Sequence, residues 1–136
     1  MCNRYVSPDE AAMERAWHIG NRTPLKWPSV VVPRGQGPFL RATSPGQLEL
    51  VVGLWSLIPH WSEVPRLKYS TNNARSEELA AKPSFRDAWR AGQRCIIPAA
   101  SFDEPNWETG KNIWWRFRRA DGQPWGLAGL YHPWVN

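Results

Sequence analysis

The chain has 136 residues, of which 42% are hydrophobic and 21% are charged. This length and composition fit one globular domain, and they exclude both a disordered chain and two ordinary domains. The net charge of +5 favours a polyanionic partner, although a globular protein that is basic for other reasons is an equal alternative. The ten tryptophans could fill a core or stack on bases.

The first predicted elements are a strand over residues 2–6 and a helix that runs to about Ile19. Ser7 is the predicted N-cap of this helix, and Glu10 completes a capping box. Residues 21–47 are rich in proline and glycine, which predicts loops around one short strand at residues 30–32.

A longer strand is predicted over residues 48–57, followed by a loop. A short helix near Leu79 and a second helix over residues 84–91 come next, and a buried strand over residues 94–98 follows them. Alternation predicts a strand over 113–117, and a turn leads to a returning strand over 124–131, which together form a hairpin. These elements make a sheet-dominated α+β domain.

The two cysteines, Cys2 and Cys95, are too few for a secreted disulfide scaffold, so a reducing compartment is expected. Residues 1–20 lack the apolar run of a signal peptide, and no stretch is long enough to span a membrane. We therefore expect a cytoplasmic protein, and the sequence leaves its oligomeric state open. The spacing of cysteine and histidine predicts no metal site, and no cofactor is expected.

Cys2 becomes the terminal residue if Met1 is removed, and it then carries a free α-amine beside its thiol. An α-amine has a reference pKa near 8, so a useful fraction is neutral at physiological pH. The amine can attack an aldehyde to give an imine, and the thiol can close onto the imine carbon to give a thiazolidine. Terminal nucleophiles are a known device, but an arbitrary second residue is the commoner reason for a cysteine here.

Two polar segments are candidates for a site. In the first segment, residues 71–77, Arg75 could bond to a phosphate and Asn73 could bond to a sugar or base. The alternative is a solvated turn. In the second, Asp103 and Glu104 come just past the predicted buried strand, where a carboxylate suits acid–base work. A carboxylate on a surface loop is the commoner explanation for such residues.

Four motifs follow one another along the chain: Met1-Cys2-Asn3-Arg4-Tyr5, Trp55-Ser56-Leu57-Ile58-Pro59-His60-Trp61, Asn73-Ala74-Arg75-Ser76-Glu77 with Pro83-Ser84-Phe85, and Arg94-Cys95-Ile96-Ile97-Pro98-Ala99 with Phe102 and Glu104. Together, and in this order, they resemble the SOS-response-associated peptidase (SRAP) family. The resemblance covers nearly the whole chain and implies one SRAP-like domain over residues 1–136. The fold it implies is β-rich, with an open barrel-like sheet and a few short helices.

The resemblance also implies a function, which is covalent capture of abasic sites in single-stranded DNA. The ring-opened aldehyde of the abasic site would form a thiazolidine with the terminal cysteine, and this crosslink would protect the lesion. The implied roles are Cys2 as nucleophile, Glu104 in proton transfer, Asn73 in orienting the sugar, Arg4 and Arg75 on phosphates, and Trp61 against a neighbouring base.

The chain departs from the family pattern at several points. Asn3 stands where glycine is usual, and Pro105 follows Glu104 where tryptophan is usual. Family members continue past this length, and their C-terminal half carries an active-site histidine, a role that the resemblance does not assign to His132. We therefore expect a fragment, a truncated phage-type homologue or a partner-dependent form.

Two other functions remain open at this point. The family's name suggests a cysteine-dependent (auto)peptidase, although the sequence shows no conventional Cys–His pairing. A non-catalytic module for single-stranded DNA would use Arg4, Arg75 and the tryptophans but not Cys2. Its binding would fall steeply with salt, and it would form no covalent product.

Overall fold

The computed structural model describes residues 2–20 and 25–135. Within these ranges the chain forms eight strands and two short helices. In chain order they are β1 (Arg4–Val6), α1 (Glu10–Trp17), β2 (Val30–Val31), β3 (Gln36–Ser44), β4 (Gln47–Leu54), α2 (Arg86–Arg90), β5 (Arg94–Ala99), β6 (Ser101–Asn106), β7 (Ile113–Phe117) and β8 (Trp125–Leu130).

The strands form two antiparallel four-stranded sheets. The first sheet has the order β2-β1-β6-β7, and the second has the order β4-β3-β5-β8. The predicted α+β class, rich in strands, is confirmed. The two sheets of the described residues are not closed into a barrel.

Two buried clusters hold these layers together. Tyr5 of the first sheet and Ala99 of the second meet in one cluster, and Cys2 packs against it from the N-terminus. Met13 of α1 packs with Leu40 in the other cluster, so the helix covers the second sheet. The first cluster therefore places the start of the chain where the two sheets meet.

The first helix is confirmed, but its predicted cap is wrong. Asp9 is the N-cap, and its carboxylate accepts a hydrogen bond from the Ala12 amide at 2.7 Å. Ser7 cannot cap because it is buried, and its hydroxyl accepts a hydrogen bond from the Trp27 indole at 2.9 Å. The helix ends at Trp17, two residues before the expected end, because His18 adopts a left-handed conformation with φ 52°.

Residues 21–47 are predicted to form loops around one short strand at residues 30–32. The nine-residue strand β3 contradicts this prediction for residues 36–44, and residues 21–24 lie outside the described ranges. Pro38 lies across from Val52 of β4 and outside the pairing of β3 with β5, which is at Leu40, so its missing N–H costs no hydrogen bond to β5. Packing explains the glycine at position 37, because a Cβ there would lie 2.5 Å from the Tyr5 hydroxyl.

The predicted hairpin of the last two strands is wrong, although both strands exist. β7 pairs with β6 in the first sheet, and β8 pairs with β5 in the second sheet. The segment 101–106 is the strand β6 rather than a loop, so Asp103 and Glu104 lie on the two faces of a sheet. This correction matters for the site, because the charge of Glu104 on β6 acts on the Cys2 thiol.

The remaining predictions differ in outcome. The strands β4 and β5 and the helix α2 are confirmed close to their predicted bounds. The helix predicted near Leu79 is wrong, since that segment forms turns with isolated hydrogen bonds such as the one from the Leu79 amide to the Arg75 carbonyl. Neither helix of the described residues is long and apolar enough to cross a membrane.

Candidate functional site at the N-terminus

The backbone of Cys2 is held by two asparagine side chains. The Asn73 amide nitrogen donates to the Cys2 carbonyl at 2.7 Å, and the Asn72 amide nitrogen donates to the same oxygen at 3.3 Å. Asn72 also lies 3.4 Å from the side-chain oxygen of Asn3, the residue found where the family has glycine. These bonds fix the start of the chain over a segment 70 residues away in sequence.

Residues 71–73, which we call the asparagine segment, are themselves anchored to the sheets. The Trp55 indole donates to the Asn72 carbonyl at 2.8 Å, and its ring packs edge-on against Tyr5 at 5.0 Å between centroids. Thr71 bonds to the Leu57 carbonyl at 2.8 Å through its hydroxyl. The segment that holds Cys2 is therefore attached to the end of β4 and to β1.

The Cys2 thiol is half-buried and contacts the Arg4 carbonyl at 3.5 Å. Burial raises the pKa of this thiol above its ordinary value, and the negative charges of Glu104 and Asp103 add to that effect, whereas the bond to the Arg4 backbone opposes it. The thiol is therefore neutral at physiological pH. The charge of Glu104, the predicted proton-transfer residue, thus acts on the thiol of the predicted nucleophile.

Asp103 lies on the opposite face of β6 between two arginines. Arg4 of β1 and Arg116 of β7 are its cross-strand neighbours, and they approach its carboxylate at 2.7 Å and 2.9 Å. Asp103 is only 1% exposed. The hydrogen bonds from Arg116 and Arg4 outweigh its burial and lower the pKa of its carboxyl. A buried charge that is paired on both sides fixes the positions of both guanidinium groups.

A cleft of about 780 Å³ opens beside Cys2. Its walls come from β3, β4, β5 and β8 and from the asparagine segment, and Asn73 and the second cysteine, Cys95, both line it. Burial alone raises the pKa of the Cys95 thiol to about 12. The cleft thus holds two free thiols, of which only the one at Cys2 lies beside polar groups that the sequence singled out.

Not every predicted site residue lies at the cleft. Trp61 is 46% exposed, its indole donates to the Pro83 carbonyl at 3.3 Å, and it is absent from the described lining of the cleft. Arg75 is exposed on the turn that follows Asn73. Cys2 and Asn73 line the cleft and are bonded to each other, whereas Arg4 and Glu104 are not among its lining residues. The contacts predicted for Trp61 and Arg75 remain predictions.

Sequence reasoning assigns no role to Asn72, treats Trp55 only as part of a motif, and treats Asp103 only as a carboxylate past the end of a strand. It therefore misses the contacts of three residues of this site. Period-two alternation across Phe102, Asp103 and Glu104 was the available signal, because it places the two carboxylates on opposite faces of a strand.

The histidines form a separate contact. His60 bonds to Asp87 at 2.6 Å, and the His60 and His132 rings lie 5.8 Å apart between centroids. Burial is the main reason why the pKa of His132 is lowered, and the charge of His60 adds to it. No group of three or more potential metal ligands occurs among residues 2–20 and 25–135.

Residues 1–136 match the family model described as SOS response associated peptidase (SRAP). The abasic site processing protein YoqW of Bacillus subtilis is 40% identical over 81 residues, which are 59% of this chain and 36% of that protein. The abasic site processing protein HMCES of Xenopus tropicalis is 30% identical over 74 residues, which are 52% of this chain and 19% of that protein.

Two solved structures share the fold. A protein from Bordetella bronchiseptica superimposes with a TM-score of 0.83 at 36% identity, over 95% of this chain and 63% of that chain. A protein from Bacteroides thetaiotaomicron gives a TM-score of 0.75 at 22% identity, over 99% of this chain and 62% of that chain. The chain thus spans about a third of YoqW and less than two thirds of both structural neighbours.

Proposed function

The chain belongs to the SOS response associated peptidase (SRAP) family, and on that premise we propose that it captures abasic sites in single-stranded DNA through Cys2. The relatives named abasic site processing proteins support this substrate. The net charge of +5 supports a polyanionic partner. Capture requires that Met1 is removed, because the amine of Cys2 must be free.

The observation that carries the proposal is the bond of 2.7 Å between the Asn73 amide and the Cys2 carbonyl. A terminal residue is ordinarily among the least ordered parts of a chain. Here its carbonyl is fixed at the cleft, so the amine and thiol on the same residue have a restricted set of positions. Such positioning is what an efficient reaction between a terminal residue and a bound aldehyde needs.

The proposed chemistry balances without a cofactor. The neutral amine of Cys2 adds to the aldehyde carbon of the ring-opened sugar, and the resulting carbinolamine loses one water to give an imine. The Cys2 sulfur then bonds to the imine carbon, and its proton passes to the nitrogen. The product is a five-membered thiazolidine, and the overall change is one aldehyde and one cysteine joined with loss of one water.

The surrounding residues have distinct proposed roles. Glu104 accepts and returns protons during ring opening and imine formation, which a carboxylate near the reacting atoms can do. Asn73 orients Cys2 and the sugar. Arg4, fixed by Asp103, and the exposed Arg75 bind phosphates, and Trp61 lies against a neighbouring base.

The experiment is a denaturing gel with single-stranded DNA that carries one abasic site, beside the same DNA without it. Intact mass first establishes that Met1 is absent. The wild type and Cys95→Ser should give a slow, heat-stable band with abasic DNA only, and Cys2→Ser should give none, because serine keeps the amine but lacks the thiol. Cys95 is the matched control, since it is the other free thiol of the cleft.

Two results would count against the proposal. A heat-stable band of equal yield from Cys2→Ser would show that another residue forms the adduct. Absence of any band from protein that lacks Met1 would rule out capture by this chain, and salt-sensitive binding to intact DNA would then favour a non-catalytic single-strand binding module.

A further inference from the structure

An exposed tryptophan lies beside the arginines that Asp103 positions. Trp114 of β7 is 44% exposed, and the Arg4 guanidinium lies over its ring, 4.6 Å from the centroid. Trp114 and Arg116 are two residues apart on one strand, so they share a face of the first sheet. We call Trp114, Arg4, Asp103 and Arg116 the Trp114 patch.

We infer that the Trp114 patch is a second nucleotide site, where an unpaired base next to the captured abasic sugar stacks on Trp114. Arg4 and Arg116 would meet the phosphates on either side of that base. The inference rests on the proposed function for its substrate. It adds a binding residue that neither the motifs nor the contacts of Cys2 indicate.

The chemistry of the patch fits single-stranded nucleic acid. An aromatic ring offers stacking to any base, and a guanidinium over that ring adds a cation for phosphate. Asp103 cancels one of the two arginine charges, and Arg118, exposed just beyond β7, adds another positive charge. This surplus favours a polyanion, whereas a second copy of the chain would bring arginines against arginines.

The position of the patch also fits the neighbouring nucleotide. Arg4 is two residues from Cys2, and the Cys2 thiol contacts the Arg4 carbonyl. Trp114 lies directly across from Pro105, the residue that follows Glu104, in the pairing of β6 with β7. The patch therefore lies on the Asp103 face of β6, with Arg4 two residues from the proposed nucleophile and Trp114 across from the residue that follows Glu104.

The alternative occupant is a polypeptide strand. β7 is the last strand in the order of the first sheet, and all five of its residues are exposed. Such an edge can pair with another chain. The two occupants differ in what a substitution of Trp114 would change, since stacking uses the ring and strand pairing uses the backbone.

The test measures the Kd of the full chain for intact single-stranded DNA by fluorescence anisotropy at fixed salt. Trp114→Ala should weaken binding about tenfold, which corresponds to ~1.4 kcal/mol, and Trp114→Phe should lie between that variant and the wild type.

Trp107→Ala is the matched control, because Trp107 is a more exposed tryptophan, 63%, between β6 and β7. It should bind within about twofold of the wild type, since a substitution away from the stacking site removes no base contact. Circular dichroism checks that each variant is folded.

Capture kinetics separate this inference from the proposed function. With abasic DNA, Trp114→Ala should raise the protein concentration for half-maximal capture about tenfold and leave the rate at saturation unchanged. Wild-type binding by Trp114→Ala, or equal losses in Trp114→Ala and Trp107→Ala, would overturn the inference. So would concentration-dependent self-association with no binding to DNA, which would indicate strand pairing at β7. Failure of the wild type to form any covalent band would reject the capture by Cys2, while the anisotropy comparison would still decide the role of Trp114.

Discussion

The two cysteines that line the cleft carry the same functional group in different surroundings. The Cys2 carbonyl is held by side-chain amides, and the charges of Glu104 and Asp103 act on its thiol. Cys95 is inside strand β5, opposite Gly129, in a position so close that a Cβ on that glycine would lie 2.9 Å from its sulfur. The first thiol is half-buried with a polar contact to the Arg4 carbonyl, and the second is packed inside a sheet.

This difference shows that a free thiol is not enough to define a site. Both thiols have raised pKa values, so neither is activated as a thiolate. What distinguishes Cys2 is its position in the chain, which can supply an amine on the adjacent carbon. The proposed reaction uses the amine first and the neutral thiol second, and it is therefore compatible with a thiol whose pKa is high.

The largest effect should come from removing the free amine from Cys2, so that its thiol lies on an internal residue, as the thiol of Cys95 does. Insertion of an alanine between Met1 and Cys2 leaves the thiol in place but moves the free amine to another residue. Heat-stable capture should fall by about 100-fold or more, because the amine and thiol no longer act on one carbon at high effective concentration. A thiol titration of the unfolded protein should still find both cysteines. Undiminished capture would show that the amine of Cys2 is dispensable.

The next effect concerns the stability that Asp103 contributes through its two arginine partners. Asp103→Asn removes the buried charge that pairs with Arg4 and Arg116, and it should lower the free energy of unfolding at pH 7 by about 2 kcal/mol, below the full cost of a broken buried pair because both arginines are partly exposed. Urea unfolding followed by circular dichroism measures this loss. Asp121→Asn is the control, since Asp121 pairs with Arg119 in an exposed turn and should matter little.

The same pair of variants gives a pH dependence. The pKa of Asp103 is lowered in the folded chain, mainly by its bonds to Arg116. Its stabilising contribution is therefore complete above the unfolded pKa of about 3.9 and is lost as pH falls through the lower folded value. The difference in unfolding free energy between wild type and Asp103→Asn should shrink below about pH 4. A difference that grows on acidification would contradict this assignment.

A smaller effect separates the two asparagines that hold Cys2. Asn73→Ala removes the shorter bond, and capture should slow about tenfold, whereas Asn72→Ala removes the bond of 3.3 Å and should slow it about threefold. Single-turnover rates at saturating DNA make the comparison. Equal rates in both variants and the wild type would mean that the position of the Cys2 carbonyl does not limit the reaction.

Local patterns predicted most of the strands but not their partners. Alternation predicts the strand at 113–117, and the turn that follows it predicts a returning strand at 124–131 and therefore a hairpin. The partner of β7 is instead β6, a segment in which the sequence predicts no strand. A period of two specifies a strand and its faces, whereas the pairing depends on contacts that are distant in sequence.

The site was predictable where a motif carries chemistry and unpredictable where contacts are formed by the fold. The motifs predict Cys2, Asn73 and Glu104, and the structure bonds Asn73 to the Cys2 carbonyl. Asp103 and Trp114 have no such signal, since their significance depends on the register of β1, β6 and β7. Asn72 lies beside Asn73 in sequence, but only the fold shows that both amides reach the same carbonyl.

The measurement that tests the central claim most directly is mass spectrometry of the adduct with abasic DNA, after nuclease and protease digestion. The account predicts one adduct per chain on the peptide that begins with Cys2, with a mass equal to the two reactants less one water. The Cys2 thiol in that peptide should resist alkylation under denaturing conditions, while Cys95 remains alkylatable. An adduct on a lysine or on Cys95, or a Cys2 thiol that is still alkylatable within the adduct, would contradict thiazolidine formation at Cys2.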